Sequence, residues 1–328
     1  MGRLKLVNEI LLSSEVIVYL LSEALLYFLL FIAFLTTLAL LKRWDFNSFT
    51  KEQFSLENRS YLVMSIIFFV MLLKVMLLPY FVYTIDELSN LIPGAMCAAG
   101  VIEANDYGNI LLSFKIIILF LSGFWLSLNN LDIQAKNYPY LKLKSWFFIL
   151  IFIFLSIEFT LDILYFTNIS TDNPVSCCSA IFGQTGGANG LPFGLDIIKL
   201  LLLFYLLFLL VIITTIYEMT LANITASLLF TIVSYYTIVY FFGTYIYELP
   251  THKCPFCMLQ DHYYFVGYLV WGLALLGIFL NINSALMQSI FKQKSKKLKN
   301  ISLITISLFV LLCSSYVAIY YFKNGVLL

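Results

Sequence analysis

The sequence predicts an all-α polytopic membrane protein, a bundle of about eight transmembrane helices with both chain ends on the outer side. Three observations carry this. Of 328 residues, 62% are hydrophobic and only 11% charged, where a soluble domain carries about 25% charged residues. Apolar runs of about 20 residues, enough to cross a bilayer, recur along the whole chain. Lys and Arg gather in alternate loops, as the positive-inside rule requires.

The runs lie at roughly 15–41, 60–84, 109–131, 145–167, 195–217, 220–247, 263–287 and 301–322. Only Tyr217-Glu218-Met219-Thr220 separates the fifth from the sixth, which makes this the narrowest boundary. The start MGRLKLVNEILLSSE lacks a small-residue cleavage site, so no cleavable signal peptide is expected. The remaining loops leave no room for a soluble domain. Residues 1–328 therefore read as a single transmembrane domain with cysteine-bearing loops at 85–108, 168–194 and 248–262.

Orientation follows from charge. Lys42, Arg43, Lys51 and Arg59 flank the first connection, and Lys136, Lys142 and Lys144 the third. Lys292, Lys294, Lys296, Lys297 and Lys299 flank the seventh. The intervening loops 85–108, 168–194 and 248–262 hold Lys253 alone. The basic loops are expected in the cytoplasm and the cysteine loops outside, although Arg3 and Lys5 mildly oppose this. Lys-, Ile-, Phe- and Asn-rich usage suggests an AT-rich bacterial genome, and together with the charge bias this gives an expected bacterial inner membrane with the cysteine loops on the periplasmic side. The lipid bilayer is the first partner.

Several classes are excluded. A net charge of +1 gives no reason to expect a nucleic-acid partner. No Walker-type loop is present, which argues against an ATPase. The two histidines, His252 and His262, both fall in an outer loop, so a haem held between helices is not expected. Met258 follows Cys254-Pro255-Phe256-Cys257 where c-type haem attachment needs His.

The chemistry-bearing residues are the outer cysteines: Cys97, the adjacent Cys177-Cys178 pair, and the Cys254–Cys257 turn. A Cys-x-x-Cys turn leading into a span suits thiol–disulfide exchange. An electropositive helix start and the neighbouring Lys253 favour a thiolate at Cys254. Pro255 keeps the two sulfurs close. Two cysteine pairs near one membrane face resemble, in layout, the quinone-linked membrane oxidoreductases of the DsbB and vitamin K epoxide reductase kind. That resemblance implies relay of electrons between the pairs and a quinone acceptor. Two alternatives use the same atoms. His252, Cys254, Cys257, Met258 and His262 lie within eleven residues, and sulfur with imidazole selects soft metals such as copper or zinc. Outer cysteines also form structural disulfides in an oxidising compartment, leaving one thiol over from five. Cys313, mid-span in the eighth run, reads as a small core residue.

Beneath these loops the spans carry Glu23, Lys74, Lys115, Glu158 and Asp162, with Lys199 starting the fifth. Charges at that depth cost several kcal/mol unless paired or wetted. Three lysines against three acids predict mutual salt bridges. The set reads either as a polar pocket for a quinone headgroup, protons or an ion, or as an ion network that fixes helix packing. Lys199 is read as snorkelling to the interface. Tyr235, Tyr236, Tyr240, Tyr245 and Tyr247, then Tyr263, Tyr264, Tyr268 and Trp271, read as interfacial anchors, with a flat aromatic pocket as the minority reading.

Together these features predict electron or thiol–disulfide transfer at the outer face, with Cys254 attacking and Cys257 resolving. Cys177 and Cys178 would relay to a periplasmic thiol protein. The alternatives are soft-metal handling, or a subunit or assembly factor of a larger membrane complex.

Overall fold

A computed structural model describes residues 10–44, 50–135, 138–171, 174–175, 194–292 and 295–328. Eight helices among the described residues are long and apolar enough to cross a membrane, and no strand occurs among them. The chain is a multi-pass helical membrane protein. Its apolar windows bury only 28–44% of their residues inside the chain. Side chains such as Leu25, Phe28 and Leu202 point outward, and lipid is the solvent that accepts them.

The helices are α1 (Ser14–Arg43), α2 (Lys51–Leu88), the short α3 (Ala98–Ile102), α4 (Tyr107–Gln134), α5 (Leu141–Thr167), α6 (Ile197–Ile216), α7 (Thr220–Thr237), α8 (Gly243–Tyr247), α9 (Val266–Phe291) and α10 (Lys296–Asn324). A π-helical turn, Ile238–Phe242, joins α7 to α8 into one span. Side-chain caps start several of them. Ser13, Thr50 and Ser295 accept from the backbone N–H of Val16, Gln53 and Leu298 at 3.3–3.4 Å. The narrow boundary between the fifth and sixth spans is a turn in which Glu218 adopts φ +57°. α2 starts nearly three turns before its apolar run, because the Thr50 cap opens a helix whose first turns, KEQFSLENRS, are polar.

The chain divides into two compact units, residues 1–175 and 176–328. In the first, α1 packs on α2 and α5, and α4 packs on the same two neighbours, closing a four-helix bundle. Leu30, Ile67, Met71, Trp125, Phe148 and Ile151 fill its core. The α2–α4 connection folds back as α3 against α2, and Tyr165 of α5 donates its hydroxyl to the Val101 carbonyl at 2.8 Å. Lys144 is buried rather than a solvated loop charge. It pairs with Asp132 at 2.7 Å and donates to Asn129 at 2.9 Å, because α5 begins four residues earlier than the apolar run and draws it inward.

In the second unit α6 packs on α7, α7 on α9 and α9 on α10. Phe204 lies 5.3–6.2 Å, centroid to centroid, from Phe230, Phe242 and Phe309. Asn281 of α9 accepts from Thr215 of α6 at 3.0 Å, donates to Asn223 and Ser227 of α7 at 2.8 and 2.9 Å, and accepts from Ser302 of α10 at 3.4 Å. One buried amide thus ties all four spans, the usual polar glue between membrane helices. Hydropathy gave no sign of it.

Candidate functional site

Among the described residues, two constellations of chemistry-bearing side chains stand out, one in each unit. The first is the cysteine turn of residues 176–328. Glu248, in the left-handed conformation at φ +52°, ends α8 and turns the chain out of the span. The segment then returns through two short 3-10 turns, Cys257–Leu259 and Asp261–Tyr263. The Tyr247 hydroxyl donates to the Cys254 carbonyl and accepts from the Met258 N–H at 3.0 Å, while the Trp271 indole donates to the Pro255 carbonyl at 3.2 Å. Gly267, in the first turn of α9, lets this segment lie close. A Cβ there would stand 2.6 Å from Met258 Cγ and 2.8 Å from its carbonyl carbon.

So held, Cys254 and Cys257 have their sulfurs within 4.8 Å of each other. Cys254 is half-buried and Cys257 buried. The expected helix-start effect on Cys254 is not present. α9 begins only at Val266, beyond both 3-10 turns, and a helix end acts over about one turn. The Lys253 ammonium lies over the Tyr240 ring, 5.0 Å from its centroid. Burial, and after it the Cys257 sulfur, push the Tyr263 hydroxyl above the usual tyrosine range.

Of the five residues grouped as metal ligands, Met258 is fully buried and His252 nearly so. The His252 ring packs 4.2 Å from that of Tyr247, and its Nε2 is buried with no hydrogen-bond partner among the described residues. His262 is not drawn in: its side chain is 83% exposed, beside Asp261. Cys97 is buried in the other unit, where it precedes α3, and the Ala98 N–H donates to Asp86 at 3.0 Å. Cys177 and Cys178 lie outside the described residues. Cys313 sits buried on α10. The tyrosines divide: Tyr245 and Tyr247 are buried and Tyr264 fully out, so the stripe is not one anchoring belt. Tyr247 and Trp271 position the turn, a role their aromatic character hid.

The second constellation is the ion cluster of residues 1–175. Glu23 on α1, Lys74 on α2, Lys115 on α4, and Glu158 and Asp162 on α5 meet in the bundle interior, all at most 9% exposed. Lys74 Nζ contacts Glu23 Oε1 and Oε2 at 2.8 and 2.7 Å and Glu158 Oε2 at 2.7 Å. Lys115 Nζ contacts Glu158 Oε1 at 2.7 Å, Asp162 Oδ2 at 2.9 Å and the Tyr19 hydroxyl. All five expected residues are therefore in direct contact. The sixth is not among them. Lys199 is exposed in the first turn of α6, so the balance is two lysines against three acids.

Tyr19 and Ser122 belong to this site and escaped the sequence reading. The only hint was spacing: Tyr19 stands one turn before Glu23, and Ser122 two turns after Lys115. A cavity of about 10 Å³ is lined by Tyr19, Glu23, Lys74, Lys115, Ser122 and Glu158, among others. That is about the size of one water. Pro79, within α2, frees the Val75 carbonyl beside Lys74 from its helical hydrogen bond.

No protein family, curated protein or solved structure matches the chain.

Proposed function

We propose that this multi-pass membrane protein performs thiol–disulfide exchange at the outer face of a bacterial inner membrane, through the Cys254–Cys257 pair. The observation that carries the reading is the pair itself: two sulfurs within 4.8 Å on a turn whose backbone is held by Tyr247 and Trp271. The outer placement rests on the Lys and Arg bias of the loops.

The half-buried Cys254 beside the buried Cys257 supports Cys254 as the attacking thiol and Cys257 as the resolving one. The Cys254 thiolate attacks one sulfur of a partner disulfide, forming a mixed disulfide and releasing the partner's other sulfur as thiolate. Cys257 then gives up its proton and attacks Cys254 Sγ. The Cys254–Cys257 bond forms and the partner leaves as a dithiol, two electrons richer. Run in reverse, the same steps oxidise a partner dithiol and leave Cys254 and Cys257 reduced, and a quinone or a second cysteine pair such as Cys177-Cys178 then takes the two electrons and restores the disulfide. The Cys257→Ser variant tests this. The mixed disulfide then has no resolving thiol, so a covalent adduct sensitive to reductant accumulates on Cys254. It is absent in Cys254→Ser. Equal absence from both variants contradicts the reading.

One observation favours a second reading, soft-metal capture: the buried His252 Nε2 beside the turn has no hydrogen-bond partner among the described residues. With Cys254, Cys257 and the Met258 thioether it supplies the soft donors that Cu(I) prefers. In this reading the thiols are shielded from alkylation until a chelator is added.

A further inference from the structure

The ion cluster has a proton inventory that does not close on its own. Each lysine ammonium has three N–H bonds, and all six are assigned. Lys74 gives its three to Glu23 Oε1, Glu23 Oε2 and Glu158 Oε2; Lys115 gives its three to Tyr19 Oη, Glu158 Oε1 and Asp162 Oδ2. Of the six carboxylate oxygens, Asp162 Oδ1 alone receives no ammonium proton among the described residues. Its contact is the Tyr19 hydroxyl, at 3.1 Å. That hydroxyl also lies 3.0 Å from Glu23 Oε1, and it has one proton to give. With all three acids ionised, one of these two contacts would set oxygen lone pair against oxygen lone pair. The cluster would also hold a net charge of −1 in the bundle interior, where an uncompensated charge is strongly unfavourable.

We propose that the bundle of residues 1–175 binds one proton within the membrane, held on Asp162 Oδ1 and exchangeable with Glu23 through Tyr19. Asp162 then donates to Tyr19 Oη, which donates to Glu23 Oε1, and every contact has one hydrogen. Passage is concerted: the Asp162 O–H bond breaks as a new bond forms to Tyr19 Oη, whose own proton goes to Glu23 Oε1. One proton moves from one carboxyl to the other and the cluster stays neutral. Every spanning helix of the bundle presents a charge to this proton: Glu23 from α1, Lys74 from α2, Lys115 from α4, and Glu158 one turn along α5. The Tyr165 hydroxyl on α5 is engaged by the Val101 carbonyl.

A second observation points to how the proton arrives. Ser122 Oγ is fully buried, has no hydrogen-bond partner among the described residues, and lines the water-sized cavity beside Glu23 and Lys74. A buried hydroxyl left bare beside a cavity of that size is where an internal water sits. That water gives the carboxyls a route to exchange with solvent. The proposal stands independently of the cysteine turn.

Infrared spectroscopy of the full chain in lipid nanodiscs at neutral pH tests it without mutation. The expected result is a carboxylic-acid C=O band that shifts in heavy water and shifts again when the protein carries isotopically labelled aspartate. Absence of the band, or a band indifferent to aspartate labelling, overturns the proposal. Charge balance makes two further expectations. Asp162→Asn abolishes the band, since two acids then match two lysines. Lys74→Met roughly doubles it, since three acids then face one lysine. An undiminished band in the first, or an unchanged one in the second, overturns it too. Ser122→Val is expected to slow the heavy-water shift, and exchange at the unaltered rate overturns the internal water as the route.

Discussion

Lys144 illustrates what a sequence hides at the scale of one residue. In a basic loop it counts toward topology. In the fold it is 2% exposed and ion-paired with an equally buried Asp132, whose other oxygen accepts the Tyr140 N–H at 2.7 Å. The Lys144 carbonyl also accepts from the Trp125 indole at 3.0 Å, so one residue fixes both the start of α5 and a core tryptophan of α4. Lys144→Met strands the Asp132 carboxylate and is expected to cost about 3–5 kcal/mol of stability. The double variant with Asp132→Leu should recover most of it. Unfolding in mixed micelles measures both, and a single variant as stable as the double contradicts the pairing. The charges that sequence did reveal, Glu23, Lys74, Lys115, Glu158 and Asp162, stand out because they interrupt long apolar runs. Tyr19 and Ser122 interrupt nothing by composition, since tyrosine and serine are common in membrane helices.

At the scale of elements, the eight spans were legible because bilayer thickness sets the length of an apolar run. Their ends were not, because polar turns such as those opening α2 extend a helix beyond the apolar layer. The placement of Cys254 was misread for a related reason. Residues 257–265 carry no apolar break that separates two 3-10 turns from the start of α9; the break is conformational, with Tyr264 and Phe265 at φ +54° and +55°. Helix pairing left a fainter trace. Gly277 on α9 faces α10 so closely that a Cβ would lie 2.8 Å from Ile306 Cγ1 and 3.0 Å from its backbone nitrogen, whereas Gly272 opens onto free space. Gly277→Leu must push α9 and α10 apart, at an expected cost of about 1–3 kcal/mol. Gly272→Leu should fall within roughly 0.5 kcal/mol of the parent. Thermal unfolding in detergent compares the two, and equal melting contradicts the close approach.

At the scale of the molecule, a multi-pass membrane protein was readable from composition alone, but its division into two four-span units was not. Each unit resolves its buried polar groups differently: charge against charge around Lys74 and Lys115 in one, a neutral amide network around Asn281 in the other. In the second unit, chemistry was legible only as cysteine spacing. The tethers that hold the turn, Tyr247 and Trp271, depend on contacts that spacing cannot show. Thiol exchange requires that Cys254 and Cys257 change oxidation state in the membrane. Maleimide mass-shift trapping in intact cells, with respiration running and then blocked, measures this directly. The expected result is a Cys254–Cys257 disulfide whose fraction moves with respiratory state, with the reduced pair labelled from the outer side. Sulfurs that hold one state under both conditions would contradict thiol exchange, and labelling unlocked only by a chelator would replace it with metal capture.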